Sequence, residues 1–365
     1  RRAACPVLTG TGRVYTASAE QLLEQLRQHV QENVVRESAQ YFVQRRGIAQ
    51  GSVVSVLLCS LVHDSLERAV LPAHEQHAEE EETLLLHFVD DFLCVSTRAE
   101  PVERFVRATH AGVPELGCFM NAAKTAVSFP VLLDDGSVLD DSTLTHCDGQ
   151  AHVPWCGMLL CAADLSCRTD FGKYAGSDLA SRTATLVGRC GHGAALRAAL
   201  VAVVKQRCTP LVLDSRLNGP GVVALNVHRA ALFGALCLVA HVARLPVHNV
   251  RFLLRTVWHT ASALAQHASS LAAAHHFACV LPRPHAVFLG LSAFALALKH
   301  HTEGEGGVTH GRAALRALLV RVEAALARLP HARELAERFR STLEAPSTLE
   351  LLRTIRINSG GSGAW

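Results

Sequence analysis

The sequence predicts an α+β region followed by an all-α region, and three observations support this division. Up to about residue 169, short apolar runs alternate with turn-forming residues, as in a sheet with packed helices. After about residue 170, Ala and Leu recur at helical spacing and strand patterns fade. The chain is 49% hydrophobic and 18% charged, which provides enough apolar material for a large core in two domains.

The first predicted elements are a helix, a strand, a turn and a second helix. Ser18 and Gln21 have the spacing of a capping box, and apolar residues follow them at helical spacing. Residues 41–43 predict a short strand, and residues 47–52 predict a turn. Residues 53–70 are apolar with helical spacing and precede a proline that would end the helix.

A hairpin and a third helix follow. Apolar residues within 84–95 lie on both sides of Asp90 and Asp91, a pattern typical of a β-hairpin with the two aspartates at its centre. Residues 103–111 predict a helix, and residues 131–153 predict an exposed loop or hairpin.

The all-α region carries two apolar stripes at helical spacing. They are Leu315, Leu318, Leu319, Val322, Leu326 and Leu329, and then Leu335, Phe339 and Leu343. The predicted domains are therefore residues 1–169 and residues 170–357, with a flexible linker-like tail at 358–365.

Composition narrows the function classes. The net charge of +3 and the pI of 8.3 are mildly basic, well short of a protein that coats DNA. Twelve cysteines without a pairing rhythm, and no secretory signal in the first residues, favour reduced thiols in the nucleus or cytosol. The apolar run 230–242 is too short to span a bilayer, so we expect a buried helix and no membrane association.

Asp90 and Asp91 are the strongest candidates for catalysis. Two adjacent carboxylates in an apolar hairpin are costly to bury unless something compensates their charge. A divalent metal does so, and hard oxygen ligands favour Mg²⁺. Because side chains alternate faces along a strand, we assign direct ligation to Asp90 and a supporting role to Asp91. The structural alternative is a turn that simply favours Asp.

Three further motifs are weak signals when each is taken alone. Residues 47–52 open an apolar helix, where glycines permit close backbone approach and the first amides are free to bind an anion. Lys124 can neutralise a triphosphate or donate a proton to leaving pyrophosphate. Trp155, Cys156 and Gly157 form a turn that can hold a nucleic-acid backbone. Each motif also has a purely structural interpretation: an ordinary turn for residues 47–52, a surface lysine for Lys124, and a core-lining turn for residues 155–157.

Taken in order, these motifs resemble reverse transcriptases and, more narrowly, the telomerase reverse transcriptase family. Residues 47–61, which include Gln50-Gly51, resemble that family's motif B, and residues 86–95 resemble motif C. Residues 113–130 resemble motif D and its flank. The Trp-Cys-Gly turn resembles the primer grip, and residues 170–175 resemble the start of the thumb.

The resemblance implies a reverse-transcriptase palm, an antiparallel sheet with packed helices, followed by an all-helical thumb. It implies RNA-templated addition of telomeric DNA to chromosome 3′ ends with two Mg²⁺ ions, in the nucleus at telomeres. The implied partners are telomerase RNA, a single-stranded telomeric primer, deoxynucleoside triphosphates, and accessory telomerase and telomere proteins.

The resemblance also implies a role for each candidate residue. Asp90 and Asp91 would bind the metal ions and act in catalysis, with Lys124 as the general acid. Gln50, Gly51 and Ser52 would line the nucleotide and template site. Trp155, Cys156 and Gly157 would form the primer grip. Lys173, Tyr174 and Arg182 of the thumb would contact the duplex.

Two departures from the family pattern affect the interpretation. Ala49 stands where the family usually has Pro, which changes the stiffness of the turn more than its chemistry. Residues 1–46 contain no Asp on an apolar strand of the kind that motif A supplies. We therefore expect a segment of a longer protein that does not polymerise alone.

Three alternatives stay open at the level of sequence. A mobile-element reverse transcriptase has the same motif order, and a fragment that binds nucleic acid or protein without catalysis needs no motif A. A zinc site is the third, although no Cys-x-x-Cys pair supports it. Its candidate ligands are Cys147, His152, Cys156, Cys161 and Cys167.

Overall fold

The computed structural model describes residues 5–8, 14–70, 83–177, 179, 192–244, 249–303 and 311–355. The chain forms two compact units. Unit 1 comprises Arg1–Ala122 and Val131–Val138, and unit 2 comprises Ala123–Pro130 and Leu139–Trp365.

Unit 1 is built from antiparallel hairpins and three helices, as far as the described residues show. In chain order its elements are β1 (Cys5–Leu8), β2 (Val14–Ala17), α1 (Ala19–Gln31), β3 (Val34–Glu37), β4 (Gln40–Val43), α2 (Ser55–Val70), β5 (Thr83–Phe88), β6 (Asp91–Ser96), α3 (Ala99–Ala111) and β7 (Val131–Leu132), which pairs with β8 (Val138–Leu139). Strands β1 and β2, β3 and β4, and β5 and β6 also pair.

Local sequence signals account for the positions at which these helices begin. The capping box before α1 is confirmed: Ser18 Oγ accepts the backbone N–H of Gln21 at 3.1 Å, and Gln21 Oε1 accepts the N–H of Ser18 at 3.0 Å. Helix α2 begins at Ser55, two residues later than predicted, because Ser52 O accepts the Ser55 N–H in a turn. Helix α3 begins before the predicted residue 103, since Pro101 is tolerated in a first helical turn.

Unit 2 combines one four-stranded sheet with the helical part of the chain. Its sheet contains β9 (Thr145–Cys147), β10 (Gln150–Trp155), β11 (Met158–Cys161) and β12 (Cys167–Thr169), in the antiparallel order β12-β11-β10-β9. Its helices are α4 (His192–Lys205), α5 (Pro210–Leu213), α6 (Pro220–Val242), α7 (Val250–Ala274), α8 (Arg283–Glu303), α9 (Arg312–Ala327), α10 (Ala332–Arg338), α11 (Arg340–Leu343) and α12 (Pro346–Thr354).

Helix α6 is the central element of unit 2. Its 23 residues have the length and hydropathy of a membrane span, so the helix extends beyond the 230–242 run that was judged too short. The predicted burial is confirmed, because 94% of its apolar window is buried inside the protein. Neighbouring helices approach one another closely at small residues. A Cβ on Gly290 of α8 would lie 3.0 Å from Ala261 Cβ of α7, so a larger residue there would push the two helices apart by a few tenths of an ångström.

The leucine stripes have different outcomes. Helix α9 buries Leu315, Leu318, Leu319 and Val322, so the first stripe is confirmed. The second stripe is divided between α10 and α11, which meet at Phe339.

The change from strands to helices follows Thr169, near the predicted position. The compact units are divided elsewhere, because the β9–β12 sheet groups with the helices. The assignment of residues 1–169 and 170–357 as domains stays a prediction. The segment predicted as an exposed loop or hairpin, 131–153, contains strands of this sheet, and Cys147 and His152 on them are buried.

Candidate active site and nucleic-acid contacts

Asp90 lies in the two-residue turn of the β5–β6 hairpin, and Asp91 begins β6. Asp91 is paired with Phe88, so the turn is centred on Val89-Asp90, one residue earlier than predicted. Both carboxylates are exposed, so the expected cost of burying them in an apolar hairpin, from which a compensating metal was inferred, does not arise here. The reason is that neither strand has a further sheet neighbour among the described residues.

The backbone at this turn is unusual. Val89 has a φ of 59°, in the left-handed region that a β-branched residue rarely adopts. Unfavourable conformations of this kind persist only where the surrounding structure enforces them, and they cluster at functional sites. The strain at Val89 directly precedes the candidate metal ligand Asp90.

Aromatic contacts pack the β5–β6 hairpin against helices α2 and α3. The ring of Phe92 on β6 lies 6.1 Å from Phe105 on α3, 5.7 Å from His87 on β5 and 6.4 Å from His63 on α2. These contacts join the hairpin to two helices of unit 1 and so fix the position of its turn. Sequence patterns contain no signal for this cluster, because its members are up to 42 residues apart.

The carboxylates fit part of a metal site. Mg²⁺ is usually held by one or two protein carboxylates, with waters and substrate phosphates completing the shell. Asp90 and Asp91 are adjacent and exposed, and so supply that minimal donor set. The described part of the chain contains no group of three or more His, Cys, Asp or Glu side chains placed to hold an ion.

The Gln50-Gly51-Ser52 loop has an open side and a closed side. Gln50 is exposed, and a Cβ on Gly51, whose φ is 80°, would meet nothing within 4 Å. The Ser52 hydroxyl instead bonds His29 Nε2 at 2.6 Å and accepts the N–H of Val54 at 3.3 Å. Gln50 and Gly51 are therefore open to solvent, whereas Ser52 fixes the loop to α1.

Lys124 ends a short 3₁₀ turn, Ala122–Lys124, and is exposed. It falls in unit 2, whereas Asp90 falls in unit 1. Its role as general acid stays a prediction.

The Trp155-Cys156-Gly157 segment forms the β10–β11 turn. Cys156 and Gly157 have φ of 48° and 75°, and Trp155 pairs with Met158, as in the two-residue turns that match strand twist. Gly157 O accepts the Asp170 N–H at 3.0 Å. The turn is thereby joined to the segment that follows β12.

Gly157 also makes room for a cation. A Cβ at this position would lie against the Lys173 ammonium nitrogen, so any larger residue must displace that side chain. Two cations lie over the Tyr174 ring: Lys173 Nζ is 5.3 Å from its centroid, and Arg207 Cζ is 4.8 Å from it. The structure therefore places Lys173 and Tyr174 beside the turn, whereas Arg182 lies outside the described residues.

Of the candidate zinc ligands, Cys147 and His152 lie in contact in a buried polar cluster, whereas Cys156 is exposed at the β10–β11 turn. Cys147 Sγ lies 3.4 Å from His152 Nδ1. Burial lowers the pKa of His152, and burial raises the pKa of the Cys147 thiol. Both side chains are thus held in their neutral forms.

Two family models match the chain, one over its strand-containing part and one over its helical part. The family model described as reverse transcriptase (RNA-dependent DNA polymerase) matches residues 13–160. The model described as telomerase reverse transcriptase, C-terminal extension, matches residues 194–305. The chain belongs to the telomerase reverse transcriptase family. The resemblance inferred from the motif order is therefore confirmed, and so is the predicted fold class of a palm followed by a helical thumb.

Relatives in the family cover most of this chain. A telomerase reverse transcriptase from Canis lupus familiaris is 36% identical over 75% of this chain and 24% of its own length. One from Bos taurus is 34% identical over 87% of this chain and 27% of its own length. The chain thus spans about a quarter of the length of these relatives.

A solved structure shares the fold. It is described as telomerase from Candida albicans in complex with a fragment of telomeric RNA, and it matches 87% of this chain and 43% of its own. The TM-score is 0.51 at 14% sequence identity, so this likeness concerns the fold alone.

Proposed function

We propose that this chain is part of the catalytic subunit of a telomerase, an RNA-directed DNA polymerase that adds telomeric repeats to chromosome 3′ ends. The observation that carries the proposal is the exposed Asp90-Asp91 pair at a strained hairpin turn. It lies within residues 13–160, which match the reverse transcriptase family model. The position of the pair in the motif order, after the Gln50-Gly51 loop and before Lys124, favours nucleotidyl transfer over a purely structural turn.

The proposed chemistry assigns each residue a task. Asp90 and Asp91 would hold two Mg²⁺ ions, which would activate the primer hydroxyl and stabilise the leaving pyrophosphate. Lys124 donates a proton to the pyrophosphate. Gln50 and Gly51 line the site of the incoming nucleotide and template, and the Ser52 hydroxyl holds their loop through His29.

Unit 2 is proposed to bind the primer and its duplex with the template RNA. The turn at Trp155, Cys156 and Gly157 contacts the primer backbone, and Lys173 beside it contacts a phosphate. Charge supports this assignment, because residues 192–302 contain ten Lys and Arg residues, of which Arg207 and Arg229 are buried, and one acidic residue. The ten are Arg197, Lys205, Arg207, Arg216, Arg229, Arg244, Arg251, Arg255, Arg283 and Lys299.

The proposal includes the setting of this activity. The partners are telomerase RNA, a single-stranded telomeric DNA primer, deoxynucleoside triphosphates and accessory telomerase proteins, in a nuclear ribonucleoprotein at telomeres. No membrane association is proposed, because the one described helix of sufficient length and hydropathy is buried in the protein.

Primer extension by the intact parent protein tests the metal-site assignment. The protein, its RNA and Mg²⁺ are incubated with a telomeric primer, and native protein is compared with Asp90→Ala. Loss of a metal ligand removes several kcal/mol of transition-state stabilisation, so we expect extension to fall by about a thousandfold. RNA and primer binding should persist.

Asp134→Ala is the matched control, because Asp134 is also exposed in unit 1 and also belongs to an adjacent Asp pair, with Asp135. Asp134→Ala should extend primers at the native rate. Equal rates for native protein and Asp90→Ala would show that Asp90 only shapes a turn, and the proposed catalysis would fail with it.

A further inference from the structure

Asp148 occupies the tip of the β9–β10 hairpin, with a φ of 52°. Its carboxylate accepts three hydrogen bonds. Arg168 Nη1 donates to Oδ2 at 2.6 Å, Ser347 N donates to Oδ1 at 2.9 Å, and Ser347 Oγ donates to Oδ2 at 2.7 Å. One carboxylate therefore joins the hairpin, strand β12 and the start of helix α12, and all three lie in unit 2.

Helix α12 lacks a cap of its own. Its N-cap residue is Ala345, whose side chain forms no capping hydrogen bond, and Pro346 at the first position has no N–H. The Ser347 N–H is thus the first amide donor of the helix that needs a partner. Asp148, 199 residues earlier, supplies the acceptor that a capping Asp normally supplies from the adjacent position.

The link is largely protected from water. The side chains of Arg168 and Asp148 are 5% and 16% exposed, and Ser347 is buried. Burial alone would raise the pKa of Asp148, but the Ser347 hydrogen bonds and the Arg168 guanidinium outweigh it and leave the pKa lowered. The carboxylate therefore remains ionised at neutral pH and acts as a charged acceptor.

Asp148 and the Trp155-Cys156-Gly157 turn lie at opposite ends of β10. The β12 edge of the same sheet, which Arg168 joins to Asp148, is also held by two asparagines. Cys167 on β12 donates its N–H to Asn218 Oδ1 at 2.7 Å and accepts from Asn226 Nδ2 at 2.8 Å. Helix α6 and the segment before it thus hold the sheet at β12, and helix α12 holds it at the β9–β10 tip through Asp148.

We propose that Asp148 is a positioning residue that caps α12 from a distance and thereby orients the β10–β11 turn toward the primer. The proposal rests on the proposed function only for the identity of the ligand. Loss of the link frees the β9–β10 hairpin from α12, so the turn at its other end samples more orientations. Primer binding then weakens, whereas nucleotide addition to bound primer does not.

The test uses the full-length protein with its RNA and compares Asp148→Ala, Asp148→Asn and Ser347→Ala with native protein. Ser341→Ala is the control, since Ser341 is exposed on α11. We expect Asp148→Ala to raise the KM for primer about tenfold, with kcat within about twofold. Ser347→Ala, which keeps the backbone bond, should raise that KM about threefold, and Ser341→Ala should not change it.

Hydrogen exchange separates positioning from general destabilisation. Asp148→Ala and Asp148→Asn should speed exchange in both 346–355 and 150–161 while α6 keeps its protection. The Asp148→Ala/Ser347→Ala pair should be non-additive, because the two side chains share one link. Unchanged KM for primer in a folded Asp148→Ala protein, or equal loss of protection throughout unit 2, overturns the proposal. If native protein fails to extend primers, the proposed function fails, and coupled exchange in the two segments still decides whether the link exists.

Discussion

Units 1 and 2 form helices and strands by the same local rules, but they bury their apolar side chains differently. Among the described residues, twenty large hydrophobic side chains of unit 1 are exposed, against seven in the larger unit 2. The hydrophobic residues that are buried in the described part of unit 1 are Val106, Val131 and Leu133, whereas the main core cluster lies within unit 2. Secondary structure depends on neighbours in sequence, but burial depends on a packing partner.

This difference parallels the proposed division of tasks. The candidate metal ligands Asp90 and Asp91 lie in unit 1, on a hairpin with one exposed apolar side. The primer turn and Lys173 lie in unit 2, next to its core. Unit 2 therefore holds its candidate contacts on a well-packed support, and unit 1 relies on the aromatic contacts around Phe92.

The largest expected effect comes from removing a ring from each unit. Phe233 on α6 is fully buried and packs on Tyr174 at 4.7 Å, whereas Phe42 on β4 is 49% exposed. Phe233→Ala should lower the free energy of unfolding of unit 2 by about 3–5 kcal/mol. Phe42→Ala should change that of unit 1 by less than about 0.5 kcal/mol.

Native-state hydrogen exchange on the whole chain measures both effects, because it reports each unit separately. The exposed Val320 on α9 gives a control within unit 2, and Val320→Ala should have little effect. If Phe42→Ala costs as much as Phe233→Ala, then Phe42 is buried in solution and the contrast between the units is wrong.

Acid should affect unit 2 through its buried histidines. Burial lowers the pKa of both His228 and His301 to about 4, and His228 keeps one hydrogen bond, between Nδ1 and Leu289 O, at 3.0 Å. The unfolded chain has an ordinary histidine pKa of about 6.5, so below that pH it binds protons that the folded state does not. Stability should therefore fall between about pH 6.5 and pH 4, by a few kcal/mol in total.

Urea unfolding followed by tryptophan fluorescence measures this loss. In a Trp365→Phe background the signal comes from Trp155 and Trp258, which both lie in unit 2. His228→Leu should reduce the dependence of stability on pH, whereas His259→Leu, at an exposed position, should leave it intact. A full pH dependence in His228→Leu would exclude His228 as a source.

The parts of the fold that the sequence predicted are those set by near neighbours. The capping box at Ser18 and the stripe on α9 each depend on residues three or four positions apart. The hairpin around Asp90 depends on two adjacent runs, and its centre was misplaced by one residue because the left-handed conformation of Val89 has no sequence signal.

The unpredicted parts of the site join distant residues. Asp148 and Ser347 are 199 positions apart, and the space that Gly157 leaves for Lys173 follows from how the β10–β11 turn packs on the segment after β12. The expected cost of burying Asp90 and Asp91 does not arise, for the same reason. Apolar neighbours in sequence show that a strand has a face to cover, but not what covers it.

The smallest expected effect tests whether unit 2 provides a phosphate contact. Lys173 is exposed beside Gly157, and no ion pair joins it to a carboxylate among the described residues. Affinity for a nucleic acid falls as salt rises, and each phosphate contact on a single strand adds about 0.7 to the steepness of log affinity against log salt. If Lys173 neutralises one primer phosphate, Lys173→Gln should make this dependence shallower by about 0.7. Primer binding to the full-length protein is measured by titration at several salt concentrations.

Lys205→Gln is the control for Lys173→Gln, because Lys205 is also an exposed lysine of unit 2 and ends α4. A change in slope for Lys173→Gln alone places a phosphate at the β10–β11 turn, since both substitutions remove the same net charge from the same unit. An equal change in slope for both variants, relative to native protein, means that the basic surface of unit 2 attracts the primer as a whole. In that case the room that Gly157 leaves for Lys173 serves packing, and unit 2 contributes to primer binding through its net charge rather than through a defined contact.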